Sequence, residues 1–441
     1  MATGVASDNS ELSLIRKVID EGSVAATQIL VIFISLILNM LDGFDVTAMA
    51  FTVDRIGNEL QIAPNHLGLV FSVALAGMML GAMFVAPISD IFGRRRMVLV
   101  CVTMIGLSMC ATGTANTLWE LIVYRLITGL GVGGMLASLA AITAEYTPEK
   151  YRSLAVASIT AGYPLGATIG SFIAKPMLPL YGWQGVFFAG GIATLAMVVV
   201  VYFLMPESLQ FLLARRKSDS LDRVNQVLQR LKRPTLQELP EMPPKGHADK
   251  ANVLSLLTEE RRLKTLTLWA AFLFCFMSLY FLMSWIPKLL IDAGFTESMG
   301  IYAAAAFNGG GVVGIISLGW VAARIALSKL IGTFLTGSAV IMIIFAYSAG
   351  VNFLFPYLFV IGFLLQGGFV GLYAVAAKIY PTEVRTTGVG WAIGLGRFGA
   401  VLGPWFGGLL IAWEVSMGVN FIIFAAPLII SGLIAYTLAV R

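Results

Sequence analysis

Four charged residues lie well inside long apolar segments of the sequence. Asp42 and Asp45 lie in the first long apolar segment, Arg125 in the fourth and Arg397 in the eleventh. Charged side chains at such positions are costly and usually have a function. Two acids and two arginines together carry no net charge, so an incoming carboxylate would leave the group one unit negative. A proton on Asp42 or Asp45 would restore neutrality, and the pattern therefore indicates that an anion and a proton bind together.

The distances of these residues from the ends of their apolar segments indicate which of them pair. Asp45 lies eight residues before the end of its segment, and Arg125 lies seven residues after the start of its own. If consecutive segments cross a membrane in opposite directions, these two ends lie on the same side, so the two residues lie at similar depth. Asp42 lies one helical turn deeper, on the same face as Asp45. We hypothesise that Arg125 holds Asp45, that Arg397 binds a substrate carboxylate, and that Asp42 takes up the proton. In the alternative, the four side chains only pair with one another and stabilise the bundle.

Aromatic and amide residues in the middle of apolar segments are candidates for the wall of a binding cavity. An aryl ring would stack on the aromatic side chains, and an amide could hydrogen-bond a ring hydroxyl. The candidates are Tyr163, Phe276, Tyr280, Phe307, Asn308, Gln366, Tyr373 and Trp391.

The segments that carry these residues are long enough to cross a bilayer. Of 441 residues, 58% are hydrophobic and only 12% are charged, about half the charged fraction of soluble domains. A bilayer-spanning helix needs about 20 apolar residues. The sequence therefore predicts an all-α membrane protein with twelve transmembrane helices. These spans lie near 28–53, 67–89, 97–115, 118–143, 153–176, 184–205, 265–291, 299–322, 328–348, 353–378, 386–412 and 417–440.

The spans divide into two groups of six around a polar linker that holds twelve Lys and Arg residues. Because positively charged loops stay in the cytoplasm, we expect a multi-pass protein of the cell inner (plasma) membrane with both termini cytoplasmic. We expect no removable signal peptide. The predicted parts are a cytoplasmic N-terminal segment at 1–27, a six-helix bundle at 28–205, a cytoplasmic linker with an amphipathic helix at 206–264, and a second six-helix bundle at 265–441. We expect the amphipathic helix, near 221–233, to lie on the membrane surface.

The two groups of spans also resemble each other in one constant alignment without gaps, which we call the repeat register. Most of the matched residues are glycine or proline, which are used where the backbone conformation or a close helix contact requires them. Their match predicts two pseudo-symmetric bundles related by an axis along the membrane normal. Chance similarity between glycine-rich helices is the alternative. In the repeat register, Gly129, Pro148, Arg152, Gly166 and Gly170 match Gly362, Pro381, Arg385, Gly399 and Gly403.

Two motifs connect the sequence to a known family. The loop after the second span reads Asp90-Ile-Phe-Gly93-Arg94-Arg95-Arg96, and the fourth span contains Arg125-x-x-x-Gly129-x-Gly131. With these motifs, the chain resembles the major facilitator superfamily over nearly its whole length, which implies the major facilitator fold. The sequence departs from the loop motif at Ala86, where the family has a glycine. It departs again at Ala323, where the second-half copy of the motif lacks its acid.

The first span narrows this resemblance. Asp42-Gly43-Phe44-Asp45 resembles the motif of the aromatic acid:proton symporter family, and the seventh span fits that family as well. The resemblance implies a proton-coupled symporter that imports a small, benzoate- or hydroxybenzoate-like carboxylate by alternating access, in the service of aromatic hydrocarbon catabolism. It also implies a set of transport residues. These are Asp42, Asp45, Arg125, Glu145, Arg385 and Arg397.

Charged residues at the predicted cytoplasmic ends of the spans form a second candidate site. Glu145 and Arg152 have the spacing Glu-x6-Arg, and Arg385 holds the repeat position of Arg152. With Asp90 and Arg94, we interpret these residues as a cytoplasmic gate whose salt bridges hold the outward-open state and break as the halves rock. In the alternative, they form a solvated charge cluster. We also expect Pro206-Glu207-Ser208 to belong to this cytoplasmic layer.

Several other functions remain to be weighed. A sugar porter would share the Glu-x6-Arg spacing, but the seventh span contains no glutamine. A proton symporter for an aliphatic carboxylate is an alternative, because an arginine binds any carboxylate. A receptor that signals through 206–264 without transporting is an alternative of a different class.

The sequence contains no nucleophile–base pair, metal-ligand spacing or phosphate-binding loop, so we expect no enzyme activity, no metal and no cofactor. The expected partners are a small-molecule aromatic acid, protons and the lipid bilayer. We expect no nucleic acid, and we expect the chain to be a monomer.

Overall fold

The computed structural model describes residues 19–20, 24–215, 219–239, 256–322, 324–348, 353–381 and 384–438. Within these ranges the regular secondary structure is helical and contains no strand. Eleven of the described helices are long and apolar enough to cross a membrane. The membrane-length helices of the first half are α1 (Ala26–Glu59), α2 (Pro64–Phe92), α3 (Arg94–Thr112), α4 (Leu118–Tyr146) and α5 (Glu149–Leu204).

The second half follows two short helices, α6 (Leu209–Arg215) and α7 (Ser220–Arg230). Its membrane-length helices are α8 (Glu259–Asp292), α9 (Glu297–Val321), α10 (Leu327–Ser348), α11 (Leu354–Ile379), α12 (Arg385–Ala412) and α13 (Met417–Thr437).

Helix α5 carries two of the predicted spans in one helical stretch of 56 residues. Its geometry breaks at Gly182, where φ is 65° and ψ is −173°. Glycine adopts a positive φ easily because it has no Cβ, and this residue divides the stretch into α5a before it and α5b after it. With α5a and α5b counted separately, the described chain contains the twelve predicted spans.

The first turns of some helices are capped by residues that the sequence supplies locally. At the start of α4, the Thr117 hydroxyl accepts a hydrogen bond from the Glu120 amide (3.3 Å), and the Glu120 carboxylate accepts one from the Thr117 amide (3.2 Å). This reciprocal capping box satisfies two amides that a helix leaves without partners. It fixes where α4, the helix that carries Arg125, begins.

The two halves repeat the same helix pairs. In the first half α1 packs against α5a and α2 against α4, and in the second half α8 packs against α12 and α9 against α11. Glycines at these crossings let the backbones approach, since a Cβ there would overlap a carbonyl group of the facing helix. These contacts recur in the repeat register and confirm the pseudo-symmetric bundles. The contact of Gly166 with Met40 corresponds to that of Gly399 with Leu273. Likewise, the contacts of Gly129 with Ala74 and of Gly77 with Leu126 correspond to those of Gly362 with Phe307 and of Gly310 with Phe359.

The ends of the helices define two ends of the molecule. We call the end that carries Glu59 and Pro64 the outer end and the end that carries Arg94 and Tyr146 the inner end, following the predicted orientation. The halves meet through α2 with α12, α5a with α9, and α1 with α8. In the first of these contacts the Ser72 hydroxyl donates a 2.6 Å hydrogen bond to the Val401 carbonyl.

The amphipathic helix predicted near 221–233 is observed as α7. The apolar face of α7 includes Val224 and Leu228, which are buried. The Thr27 hydroxyl at the start of α1 donates a 3.1 Å hydrogen bond to the Arg230 carbonyl at the end of α7. The apolar face is therefore covered by protein, and our expectation that it lies on the membrane surface was wrong. The remainder of the linker at 240–255 lies outside the described residues.

Candidate functional site

A buried ion pair links α1 to α4 in the middle of the first half. Asp45 accepts two hydrogen bonds of 2.7 Å from the two terminal nitrogens of the Arg125 guanidinium. The two residues are only 1% and 2% exposed. The guanidinium also lies over the ring of Phe187 on α5b, at 5.9 Å. The structure therefore contains the pair that the depths of Asp45 and Arg125 predict.

Asp42 lies one turn before Asp45 and is 2% exposed. Neither of its carboxylate oxygens has a hydrogen-bond partner among the described residues. Asp42 is close enough to Asp45, Arg125 and Arg397 to interact electrostatically with all three. A buried carboxyl group without hydrogen bonds is costly when it is charged, so the charged form of Asp42 depends on the nearby arginines for its stability.

The close approach of α1 and α5a keeps the two aspartates away from solvent. Gly43, between Asp42 and Asp45, lies directly against the Tyr163 backbone, with no space for a side chain. The side chain of Tyr163 interacts with Asp42 and with Tyr280 of the other half. The site therefore lies where the two halves meet.

Arg397 faces this group from α12 and is half-buried. It interacts electrostatically with Asp42, with Tyr280 on α8 and with Tyr373 on α11. The guanidinium therefore lies near one carboxylate and two phenol rings. Neither Asp42 oxygen has a hydrogen-bond partner among the described residues, so Asp42 does not occupy the donors of Arg397 and leaves them available to a second anion.

An aromatic wall extends from Arg397 into the second half. Phe276 and Tyr280 are stacked, with ring centroids 5.8 Å apart and planes at 7°. Gly396, next to Arg397, lies against the Phe276 ring. The ring of Phe369 packs edge-on against Phe276 at 4.8 Å. We did not select Phe369 from the sequence, although it lies four residues before Tyr373 on the same helix face.

The remaining predicted wall residues divide into two groups. Asn308 and Gln366 are buried and form an amide pair, in which Asn308 donates to the Ala304 carbonyl (2.9 Å) and Gln366 donates to Asn308 (3.4 Å). Phe307 is fully buried, and its backbone forms the contact with Gly362.

Trp391 is 42% exposed and lies against Trp269 at 6.2 Å. It precedes Arg397 by six residues, about 9 Å along α12, so the structure does not bring it into the aromatic wall.

The predicted gate residues of the first half meet at the inner end. Arg94 forms an ion pair with Glu145 and lies 3.7 Å from Asp90. The Ser208 hydroxyl donates a 2.6 Å hydrogen bond to the other Glu145 oxygen. The Arg95 amide, at the start of α3, donates to Glu207 at 2.9 Å. Pro206-Glu207-Ser208 therefore belongs to this layer, whose pairs join helices of the same half.

The two remaining predicted gate residues are Arg152 and Arg385. Arg152 is half-buried near the start of α5a, whereas the Glu145 carboxylate that shares its motif is directed at Arg94 and Ser208. The backbone of Arg385 begins α12, and its side chain lies outside the described residues. Ala323, in the degraded second copy of the loop motif, also lies outside them.

A group of charged residues at the outer end was not predicted from the sequence. Arg55 on α1 pairs with Glu297 on α9, and Lys288 on α8 pairs with Asp54 on α1. Asp54, Arg55 and Glu297 lie just outside the predicted spans, and Lys288 lies near the end of one. A signal was present, because Arg55 and Lys288 are matched in the repeat register and both are cations.

The sequence matches the family model described as Major Facilitator Superfamily over residues 33–334. The 4-hydroxybenzoate transporter of Pseudomonas aeruginosa is 32% identical, over 89% of this chain and 87% of the relative. The gallate transporter of Pseudomonas putida is 31% identical, over 93% of this chain and 91% of the relative.

Solved structures with the same fold include a D-xylose-proton symporter. It superimposes with a TM-score of 0.70 at 17% identity, covering 92% of this chain and 97% of the other. At this level of identity the similarity concerns the fold alone, and it confirms the predicted architecture.

Proposed function

Because the chain belongs to the major facilitator superfamily, we propose that it is a proton-coupled symporter that imports a small aromatic carboxylate by alternating access. The family and its relatives are transporters, which confirms that the chain is not an enzyme. The chain is a multi-pass membrane protein. We place it in the inner membrane with both termini cytoplasmic, since the positive charge of its loops favours that orientation.

The substrate class rests on two kinds of support. The relatives named above transport 4-hydroxybenzoate and gallate, both of which are aromatic carboxylates. In this chain, the stacked rings of Phe276 and Tyr280 lie beside the helix that carries Arg397. A flat aryl ring would gain contact area and favourable ring geometry against such a wall. The amide pair of Asn308 and Gln366 is the candidate reader of a ring hydroxyl.

In this proposal Arg397 binds the substrate carboxylate. A guanidinium presents two parallel N–H donors to a carboxylate, which gives both strength and direction. Arg125 is a poor candidate for this role because Asp45 already occupies both of its terminal nitrogens. The pairing leaves Arg397 as the cation with capacity for a second anion.

The observation that carries the proposal is Asp42, a buried carboxyl group that has no hydrogen bond to any residue the structure describes and that lies near Arg397. With no substrate bound, the charge of Arg397 partly compensates the charge of Asp42. When the substrate carboxylate takes the guanidinium, Asp42 loses that compensation. Proton uptake by Asp42 then restores neutrality at the site. Substrate and proton therefore bind together and cross the membrane together.

The proposal is tested by uptake into liposomes that contain the purified protein. With an inward proton gradient, we expect accumulation of labelled 4-hydroxybenzoate, and we expect competition by unlabelled benzoate. Cyclohexanecarboxylate is the matched control ligand, since it has the same carboxylate and a ring of similar size without aromatic faces. Equal competition by cyclohexanecarboxylate would favour an aliphatic carboxylate symporter. Absence of uptake of any carboxylate would favour the receptor.

A further inference from the structure

Two ion pairs join the halves of the molecule at its outer end. The Arg55 side chain on α1 donates two hydrogen bonds to the Glu297 carboxylate on α9, at 2.6 and 2.7 Å. Lys288 on α8 lies 2.9 Å from the Asp54 carboxylate on α1. Each pair takes one residue from each half, unlike the inner-end pairs around Glu145.

The positions of the two cations follow the internal repeat. Lys288 is the match of Arg55 in the repeat register, so the two cations occupy equivalent positions in α1 and α8. Each of them reaches an acid of the opposite half. Arg55 is further fixed by a 2.8 Å hydrogen bond to the Leu178 carbonyl on α5a. The arrangement is therefore a reciprocal clasp around the pseudo-symmetry axis, and we call these four residues the outer clasp.

The helices beneath the outer clasp are in close contact. The backbone of Gly68 on α2 meets that of Gly408 on α12, where an added Cβ would lie 3.2 Å from the Gly408 Cα. The ring of Phe71 packs against Trp285 across the two halves at 5.3 Å. These contacts hold α2 of the first half directly against α12 and α8 of the second half.

The clasp residues are only partly shielded from solvent. The side chains of Arg55 and Glu297 are 34% and 32% exposed, and those of Lys288 and Asp54 are 16% and 21% exposed. Ion pairs at such exposure stabilise weakly and are sensitive to salt. They can therefore bias a conformational equilibrium without locking it, as a transporter that must open at this end requires.

We infer that the outer clasp is an extracellular gate that stabilises the state closed to the outside, and that its ion pairs break each time the outer end opens. The inference rests on the proposed alternating access. It assigns the clasp the converse of the role that we gave to the inner-end charges. Loss of either pair shifts the population toward the outward-open state.

The test measures access from the outside and does not depend on any substrate. In a variant without Cys101, Cys110 and Cys275, we introduce Ser72→Cys, because Ser72 is buried between the halves, beneath the clasp. The rate of labelling by a membrane-impermeant maleimide in intact cells then reports opening of the outer end.

In that background, Glu297→Gln and Asp54→Asn each remove one pair across the halves. We expect each to raise the labelling rate by roughly fivefold, the scale that a partly exposed ion pair can supply. Asp292→Asn is the matched control, since Asp292 also binds Lys288 (2.5 Å) but lies in the same half. We expect it to leave the rate unchanged.

A charge exchange tests the Arg55–Glu297 pair itself. Arg55→Glu combined with Glu297→Arg should return the labelling rate toward that of the background. The inference is overturned if Glu297→Gln and Asp54→Asn label no faster than Asp292→Asn, or if the exchange leaves labelling as fast as in Glu297→Gln. Because no substrate is involved, failure of this test is distinguishable from failure of the proposed transport.

Discussion

Asp42 and Asp45 lie on the same face of one helix, yet the structure predicts opposite consequences when each becomes an asparagine. Asp45→Asn leaves Arg125 charged, 2% exposed and without its bidentate partner. Removing one partner of a buried ion pair lowers the free energy of unfolding by about 3–5 kcal/mol. Because Asp42 also attracts Arg125, we expect a loss at the lower end of that range. Asp42→Asn removes a charge that has no hydrogen-bond partner in the described part of the chain, so stability should stay within about 0.5 kcal/mol or rise.

The assay follows thermal unfolding in detergent with a thiol-reactive fluorophore. Cys101 is buried in the first half, the half that contains both aspartates. With Cys110 and Cys275 replaced by alanine, the fluorophore can react only with Cys101, which becomes accessible when the first half unfolds. At about 2 °C or more per kcal/mol for a unit of this size, Asp45→Asn should lower Tm by about 6 °C or more. Asp42→Asn should leave Tm unchanged or raise it. Equal losses in the two variants would refute the assignment of Asp45 as the paired acid and Asp42 as the unpaired one.

Three further substitutions test the anion site, the aromatic wall and the helix packing, and a fourth serves as a control for the packing. Arg397→Lys keeps the charge but loses the bidentate geometry, and we expect the Kd for an aromatic carboxylate to rise by about tenfold or more, as measured by isothermal titration calorimetry. Phe276→Leu should raise the same Kd by about twofold to tenfold while leaving the Kd of any aliphatic carboxylate that binds unchanged. Gly399→Ala should lower the free energy of unfolding by about 1–3 kcal/mol, because the methyl group would overlap the Leu273 carbonyl. Gly394→Ala on the same helix, with open space around it, should instead be neutral or stabilising.

Much of the fold could be predicted because the bilayer restricts the possible structures. Long apolar segments can cross it only as helices that satisfy their own backbone groups. The repeat could be predicted for a related reason, since Gly166 and Gly399 both lie at helix crossings that are too close for a side chain. The helix break at Gly182 was harder to predict. One glycine among many does not indicate which of them breaks a helix, and α5a and α5b were separated only by the loss of apolar character between them.

The candidate site was predictable to the extent that charge in a membrane is conspicuous. Asp45 and Arg125 could be paired from their depths alone. The wall was harder to predict because aromatic side chains are common in every span. Phe369 joins it and Trp391 does not, and the difference depends on rotation about the helix axis and on depth.

The outer clasp escaped prediction for a different reason. Arg55 and Glu297 lie at helix ends, where charged residues ordinarily face water. Only the packing of α1 against the second half makes them partners. The repeat relation between Arg55 and Lys288 was the available signal, and it would have identified the two cations without identifying their acids.

The central claim is that Asp42 couples one proton to each carboxylate bound at Arg397. The most direct measurement is proton movement caused by substrate alone. Liposomes containing the protein and an internal pH indicator are given 4-hydroxybenzoate on the outside at equal pH. Protein-free liposomes are the control, since they correct for the uncharged acid that crosses the lipid unaided.

We predict that the interior acidifies faster with the wild-type protein than in the control liposomes. We also predict that Asp42→Asn abolishes this acidification while retaining exchange of internal for external substrate. Uptake by the wild-type protein without acidification would contradict the account, and so would unchanged acidification by Asp42→Asn.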